Sequence, residues 1–175
     1  MEGQNATDRA IIVVDMLVDF VDHRGAAAVP GAGALLPLIL GELQYFRERG
    51  RAVVFGCTEL PSTANYARAG TKGAAIVPQL TPRPGELVVT KRAPSVFFGT
   101  ELQAYLKKRE VQSIVLVGVS TNTGILLSAA DALSMGYEVA VPETCVCAAD
   151  RSDHDWALHQ IRQSWLLWVK NCRLV

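Results

Sequence analysis

One stretch of the chain has the pattern of a buried strand, a tight turn and a helix start: Val115-Leu-Val-Gly-Val-Ser-Thr-Asn-Thr-Gly-Ile-Leu-Leu-Ser-Ala-Ala-Asp-Ala132. Gly118 fits the turn between the strand and the helix, and Thr121 or Asn122 can cap the helix. Backbone N–H groups at such a helix start form a site for an anion or an oxyanion. An ordinary connection between a strand and a helix has the same pattern, so this stretch alone does not establish a site.

The rest of the chain alternates short apolar runs with longer amphipathic runs. The apolar runs predict strands at 10–16, 52–57, 86–90, 113–118, 137–141 and 172–175. The amphipathic runs predict helices at 34–49, 100–109, 122–135 and 152–168. This alternation gives right-handed crossovers and a parallel sheet between two layers of helices. We therefore predict one α/β domain over residues 1–175, with a long functional loop at 58–84.

Composition and charge exclude several classes of protein. Seventeen basic residues balance seventeen acidic ones, so the chain has no charge pattern for nucleic acid or a membrane surface. No apolar run approaches the ~18 residues that a membrane span needs, and the polar N-terminus is unlike a signal peptide. These features predict a cytoplasmic protein with a small-molecule substrate. The last helix should point Trp156, Ile161 and Trp165 inward, and its tryptophans predict a homo-oligomer, either a dimer or a tetramer.

The sequence predicts no metal and no cofactor. Cys145 and Cys147 are two positions apart, and no paired histidine follows at the spacing of a zinc site. The first strand leads into Asp-Met-Leu rather than into a glycine-rich phosphate turn, which argues against a nucleotide-binding domain.

Two charged residues follow predicted strands. In a parallel sheet of this kind the active site lies at the carboxyl ends of the strands, where Asp15, Lys91 and residues 118–124 should meet. Taken alone, Asp15 is equally a cap for the loop that follows it. Lys91 taken alone is most simply a solvated surface lysine.

Three further segments carry a family resemblance: Lys91-Arg-Ala-Pro-Ser-Val-Phe-Phe-Gly-Thr-Glu-Leu102, Gly70-Thr-Lys-Gly-Ala-Ala-Ile-Val-Pro-Gln-Leu80 and Asp131-Ala-Leu-Ser-Met-Gly-Tyr-Glu-Val-Ala-Val141. Together with the stretch at 115–132, they resemble the isochorismatase-like hydrolases over about residues 10 to 165. The resemblance implies a three-layer, Rossmann-like fold with a six-stranded parallel sheet of order 3-2-1-4-5-6. It also implies a non-proline cis peptide bond at Val119–Ser120.

The resemblance assigns roles to individual residues. It implies that Asp15 and Lys91 are catalytic and that the backbone at Ser120 and Gly124 forms an oxyanion site. The implied walls of the substrate pocket are Phe20, Phe97, Val119 and Thr123. Most members of the superfamily carry a nucleophilic cysteine at the position of Gly124, so the nucleophile position is lost here. The Asp-x-His metal pattern of the nicotinamidase branch is absent after strand two, and Leu17 stands where glutamine is usual.

Without the thiol, the resemblance implies acid–base chemistry. True isochorismatases also have a small residue at this position, and they hydrolyse a vinyl ether with an aspartate as the proton donor. General acid catalysis of this kind contributes roughly 10²–10⁴-fold to a rate. We therefore predict a hydrolase that cleaves a vinyl ether, or a related C–O or C–N bond, within a specialised biosynthetic pathway.

Several alternatives stay open at this point. The turn Gly-Val-Ser-Thr-Asn-Thr-Gly is closer to the amidase-like branch of the superfamily, and an engineered Cys-to-Gly variant of an amidase would have the same sequence. A pseudo-enzyme that only binds a small ligand would also keep the pocket. Cys57 and Cys145 both follow strands at the active edge, so one of them is a candidate replacement thiol. Their commoner role is that of a small buried hydrophobic residue.

Overall fold

The computed structural model describes residues 9–163 and 167–168. The strands are β1 (Arg9–Val14), β2 (Ala52–Thr58), β3 (Leu87–Lys91), β4 (Ser113–Val119), β5 (Glu138–Ala140), β6 (Val146–Cys147) and β7 (Leu167–Trp168). They form a sheet of order β3-β2-β1-β4-β5-β7 in which every pairing is parallel, and β6 extends the pairing of β4. The predicted order is confirmed, and β7 takes its sixth place. The strand predicted at 172–175 lies outside the described residues.

Helices connect the strands and cover both faces of the sheet. They are α1 (Val18–Val21), α2 (Leu36–Glu48), α3 (Leu102–Lys108), α4 (Leu126–Ser134) and α5 (Arg151–Gln163). A π-helical turn at Thr121–Ile125 precedes α4, so the predicted helix at 122–135 is two elements rather than one. Among the described residues, no helix is both long enough and apolar enough to cross a membrane.

The alternation of β1 divides its side chains between two cores. Ile12 and Val14 belong to the core under α3, α4 and α5, whereas Ile11 and Val13 belong to the core under α2. Successive side chains of a strand point to opposite faces, so a central strand that is apolar throughout is buried on both faces. Because of this burial, polar side chains that act on a ligand are expected only at the ends of β1.

Two expectations about the ends of elements are wrong. The first strand ends at Val14 rather than at residue 16, because Asp15 has a φ of 52° and cannot continue an extended strand. The last helix ends at Gln163 rather than at residue 168, and Leu167–Trp168 is a strand.

The inward face of α5 also differs from the expectation. Its buried residues follow helical spacing at His154, Ala157, Leu158 and Ile161. Trp156 lies off this stripe and is 55% exposed, so the prediction that it points inward is wrong, whereas that for Ile161 is confirmed. Trp165 lies outside the described residues.

Candidate active site

The carboxyl ends of adjacent strands bring the predicted residues together. Asp15 follows β1, Lys91 ends β3, and β2 lies between these two strands and ends at Thr58. On the other side of β1, β4 leads into the turn that contains Ser120 and Gly124. Asp15, Thr58 and Lys91 lie at the ends of three neighbouring strands, which explains how Asp15 and Lys91 meet although they are 76 positions apart in sequence.

A buried ion pair lies at the centre of the site. The Lys91 ammonium donates to Asp15 Oδ2 at 2.7 Å, and the exposed fractions of the two side chains are 1% and 10%. The other carboxylate oxygen, Oδ1, accepts the backbone N–H of Thr58 at 2.7 Å. Both oxygens of Asp15 are therefore held by donors that stabilise a negative charge.

The contacts of Lys91 fix its ammonium group. Besides Asp15, it donates to the hydroxyl of Thr58 at 2.8 Å and to the carbonyl of Ala93 at 3.3 Å. An ammonium group has three N–H donors, and three acceptors surround this one. Lys91 therefore acts on a ligand chiefly through Asp15 and through its charge.

The end of β4 approaches β1 so closely that it requires glycine. Gly118 has a φ of 114°, and a Cβ at this position would lie 2.1 Å from the carbonyl oxygen of Val14. The cis peptide bond expected at Val119–Ser120 is present. The carbonyl of Ser120 accepts the N–H groups of Thr123 and Ile125, both at 3.1 Å, and these bonds shape the turn.

Gly124 is different, because a side chain has some room there. A Cβ at this position would lie 3.6 Å from Asp15 Oδ2, 3.1 Å from Val14 Cγ1 and 3.2 Å from the carbonyl oxygen of Val119. The last two distances are short, so a small side chain requires shifts of a few tenths of an ångström. The position thus faces the carboxylate oxygen that Lys91 holds.

A cavity of about 470 Å³ opens over these groups. Its volume lies within the range of small-molecule sites. Asp15 and Lys91 line it together with five of the predicted residues, Phe20, Val119, Ser120, Thr123 and Gly124. Phe97 does not line it: its ring stacks on Tyr137 at 6.1 Å within the core, so its assignment to the pocket is wrong.

Ten further residues line the cavity, and the sequence did not indicate them as pocket residues. They are Ala27, Ala28, Val29, Thr58, Leu60, Tyr66, Arg92, Ala93, Pro94 and Ala149. Thr58 is the one with a recognisable signal, because a residue at the end of β2 must lie between the ends of β1 and β3. Tyr66 comes from the long loop that was expected to be functional, and its ring packs edge-on to Phe20 at 5.7 Å.

None of the three cysteines among the described residues lines the cavity. Cys57 and Cys145 belong to the core under α2, and neither lines the space over Asp15. Burial, and secondarily the charge of Asp15, raises the pKa of the Cys57 thiol to about 12. Burial also raises the pKa of Cys147 to about 11. A thiol needs a lowered pKa to act as a nucleophile near neutral pH, so these positions support a packing role.

Within the described ranges, no cluster of three histidine, cysteine, aspartate or glutamate side chains could hold a metal ion. The fold and the site place the chain among three-layer α/β proteins with a buried aspartate–lysine ion pair at the carboxyl edge of a parallel sheet. More specifically, the chain belongs to the isochorismatase family, because the Isochorismatase domain matches residues 9–169.

Similar proteins include enzymes of this family. The chain is 32% identical over 139 residues to a secreted isochorismatase effector of Verticillium dahliae, a match that covers 79% of this chain and 72% of the relative. It is 35% identical over 166 residues to the maleamate amidohydrolase of Pseudomonas putida, covering 87% and 78% respectively. The structure of an isochorismatase-like hydrolase from Alkaliphilus metalliredigens matches with a TM-score of 0.87 at 27% identity, covering 93% and 95%. These matches confirm the predicted family and fold, whereas the cytoplasmic location stays a prediction.

Proposed function

We propose that this protein is a hydrolase that cleaves a small vinyl ether by proton transfer from Asp15, without a covalent thiol intermediate. The observation that carries this proposal is the buried Asp15–Lys91 pair, which opens on a cavity where Gly124 provides no side chain. The space that a larger side chain would fill at position 124 is then available to the substrate, directly beside Asp15 Oδ2.

The reaction balances as a hydrolysis. The Asp15 carboxylate takes up a proton from water as the substrate enters, and the resulting carboxyl group transfers that proton to the terminal methylene carbon of the enol ether, which forms a C–H bond and leaves an oxocarbenium ion. Water adds to that ion, and its proton returns to Asp15. The resulting hemiketal collapses when the C–O bond to the alcohol breaks and the hydroxyl proton passes to the leaving oxygen. The products are a ketone and an alcohol.

Lys91 and Thr58 have a defined part in the first step. Once Asp15 has given up its proton, its two oxygens accept hydrogen bonds from the Lys91 ammonium and the Thr58 N–H. These donors are already in place before the reaction, so the charge that develops on Asp15 needs no reorganisation around it. Lys91 is thus expected to favour proton transfer without touching the substrate carbon.

Amide hydrolysis is the second candidate, because the maleamate amidohydrolase of Pseudomonas putida is 35% identical to this chain. In that case Asp15 would accept a proton from a water molecule that attacks the amide carbon. The C–N bond would then break as the proton passes to the leaving nitrogen. The lack of a cysteine in the described lining of the cavity means that this pathway would have no acyl-thiol intermediate.

A protein that only binds a ligand is less well supported. Removing an aspartate and a lysine from water costs several kcal/mol per ion, and the mutual attraction of the pair offsets this only in part. A binding pocket gains little from such a pair, whereas an acid–base site depends on it.

The proposal is tested by measuring products with the wild-type protein. Enolpyruvyl ethers and maleamate are supplied separately, and the release of pyruvate and of ammonia is followed. We expect pyruvate from the ethers and no ammonia from maleamate. Ammonia alone would favour the amidase, and no product from either class would favour the binding protein.

A second measurement separates thiol-independent from thiol-dependent turnover. The folded protein is treated with iodoacetamide, and its residual activity is compared with the extent of modification at each cysteine. We expect most of the activity to remain, since the buried thiols have raised pKa values. Loss of turnover that follows modification of Cys57 or Cys145, in a protein that stays folded, would contradict the proposal.

A further inference from the structure

We propose that Arg92 binds a carboxylate of the substrate, so that the enzyme selects small monoanions whose reacting bond lies at Asp15. The statement about the reacting bond rests on the proposed function, whereas carboxylate binding by Arg92 does not.

The charges around the cavity favour an anion. Among the described residues that line it, only Asp15, Lys91 and Arg92 carry a formal charge. Asp15 and Lys91 neutralise each other across 2.7 Å. No other described lining residue neutralises the charge of Arg92, so the lining carries one net positive charge. An anionic ligand would neutralise it.

Arg92 has no competing partner. Other arginines of the described chain form ion pairs, such as Arg47 with Glu86 and Arg151 with Asp155. Arg92 forms neither an ion pair nor a hydrogen bond with any described residue, although it lines the cavity. Its guanidinium group therefore keeps all five N–H donors for a ligand, and a carboxylate accepts two of them side by side.

The backbone that carries Arg92 is fixed by the catalytic pair itself. The carbonyl of Lys91 accepts the N–H of Glu59 at 3.0 Å, and the Lys91 ammonium donates to the carbonyl of Ala93 at 3.3 Å. Arg92 thus lies between two anchored positions, next to the lysine that holds Asp15. The anion-binding group is therefore next in sequence to the lysine that holds the proton-transferring Asp15.

The remaining walls suit the uncharged part of such a substrate. Phe20, Leu60 and Val119 offer apolar surface, whereas Tyr66, Ser120 and Thr123 offer hydroxyl groups. No carboxylate other than that of Asp15 faces the cavity among the described residues, so nothing there repels an anion at the Arg92 end.

Ligand binding tests the proposal without the need for turnover. The dissociation constants of benzoate and benzamide, and of propionate and propionamide, are measured by calorimetry on the wild-type protein. Each pair has the same shape and differs in charge. The same titrations are made with Arg92→Gln, with Arg92→Lys and with Arg83→Gln, which removes an equal charge from an exposed arginine outside the cavity.

We expect each carboxylate to bind about tenfold more tightly than its amide, and Arg92→Gln to remove that preference. Arg92→Lys should keep part of the preference, since lysine provides a charge without the paired donors, and Arg83→Gln should keep all of it. Equal binding of acid and amide, an unchanged preference in Arg92→Gln, or no carboxylate binding at millimolar concentration would overturn the proposal. If the preference depends on Arg92 but no hydrolysis is found, the proposed function fails and this inference stands.

Discussion

Gly124 leaves the site without a side chain at a position that faces Asp15 Oδ2. Gly118, six residues earlier, is required by the backbone, because any Cβ there would overlap the carbonyl of Val14. Gly124 has no such requirement, since its Cβ position is only slightly tight and its φ is not positive. The fold therefore does not strictly require glycine at position 124, and under the proposed function its glycine leaves space for the substrate.

This reasoning predicts the effect of Gly124→Ala. The added methyl group points toward Asp15 Oδ2, so the rate of hydrolysis should fall at least about tenfold as the substrate is displaced. Stability should change by no more than about 1 kcal/mol, because restriction of the unfolded chain offsets the short contacts. Gly124→Cys should lose the same activity without gaining rapid amide hydrolysis.

The matched control for this substitution is Gly41→Ala. Gly41 lies in α2 with nothing within 4 Å of its Cβ position, so the change should stabilise the protein slightly and leave the rate unaltered. Thermal melts of both variants measure the change in stability, and steady-state rates measure the change in activity. A Gly124→Ala protein with the wild-type rate would show that the substrate does not use this space.

The sequence indicated which cavity residues lie at strand ends, but it did not indicate most of those that lie in loops. The positions of Asp15 and Lys91 at strand ends could be predicted because each interrupts or ends an apolar run, whereas their catalytic roles were implied only by the family resemblance. Thr58 follows from the same rule once the strand order is known. The resemblance placed Phe97 in the pocket, whereas its packing on Tyr137 in the core depends on tertiary structure.

Among the structural elements, the loops that form one side of the cavity depend on Asp19. Its carboxylate accepts the N–H of Ala67 at 2.8 Å and the N–H of Ala26 at 3.3 Å. Ala67 follows Tyr66, and Ala26 precedes Ala27, so a single side chain connects two loops that line the cavity.

We expect Asp19→Ala to loosen both loops together. Hydrogen exchange at the amides of Ala67 and Ala26 should speed up at least about tenfold, because each loses its acceptor. The strands should keep their protection. Asp22→Ala is the matched control, since Asp22 lies in the same segment and, among the described residues, its carboxylate contacts only the neighbouring His23 and Arg24. Faster exchange in one loop alone would contradict a shared anchor.

The first turn of α5 fixes the turn that carries Gly124. The ring Nδ1 of His154 lies 2.9 Å from the hydroxyl of Thr121, and Asn122 donates to Asp153 at 3.1 Å. Burial lowers the pKa of His154, and the surrounding charges act in both directions: Asp155 and Glu143 raise it, whereas Arg151 and Arg162 lower it. The folded protein therefore favours the neutral imidazole.

The sign of the pH effect follows from this shift. Because the folded-state pKa is below the ordinary 6.5, the unfolded chain binds more protons as the pH falls through that value. The contribution of His154 to stability is thus complete above about pH 6.5 and is lost below it. The melting temperature should fall more in the wild type than in His154→Asn between about pH 7.5 and about pH 5.5. Equal falls in the two proteins would exclude His154 as the cause.

The order of elements was more predictable than their ends. Periodicity identifies which face of a segment is buried, and this is a property of many residues at once. An end depends on one or two residues, as at Asp15, where a single positive φ ends the strand. The prediction that the last helix reaches residue 168 is wrong for another reason. An apolar run is compatible with a helix and with a buried strand alike.

For the molecule as a whole, exposed aromatic surface predicts self-association. Phe98 is 71% exposed and Trp156 is 55% exposed, which is uncommon for side chains of this size in a monomer. We expect a two-fold dimer or a tetramer, with a mass by light scattering of at least twice the 18.9 kDa of one chain.

Substitution tests the part that Trp156 plays in this assembly. Trp156→Ser should lower the mass toward that of the monomer, because it removes apolar surface without disturbing a core. Leu38→Ser is the control, since Leu38 is 44% exposed on α2. A wild-type mass of one chain at micromolar concentration would refute the prediction.

Asp15→Asn tests the central claim most directly. Asparagine keeps the size of the side chain, but its single oxygen can replace only one of the two acceptors that Lys91 and Thr58 use, and it cannot transfer the proton that the reaction needs. On the enolpyruvyl ether that gives the highest wild-type rate, we expect turnover to fall by at least about 10²-fold while the melting curve shows a folded protein. A folded Asp15→Asn protein with a near-wild-type rate would contradict proton transfer by Asp15.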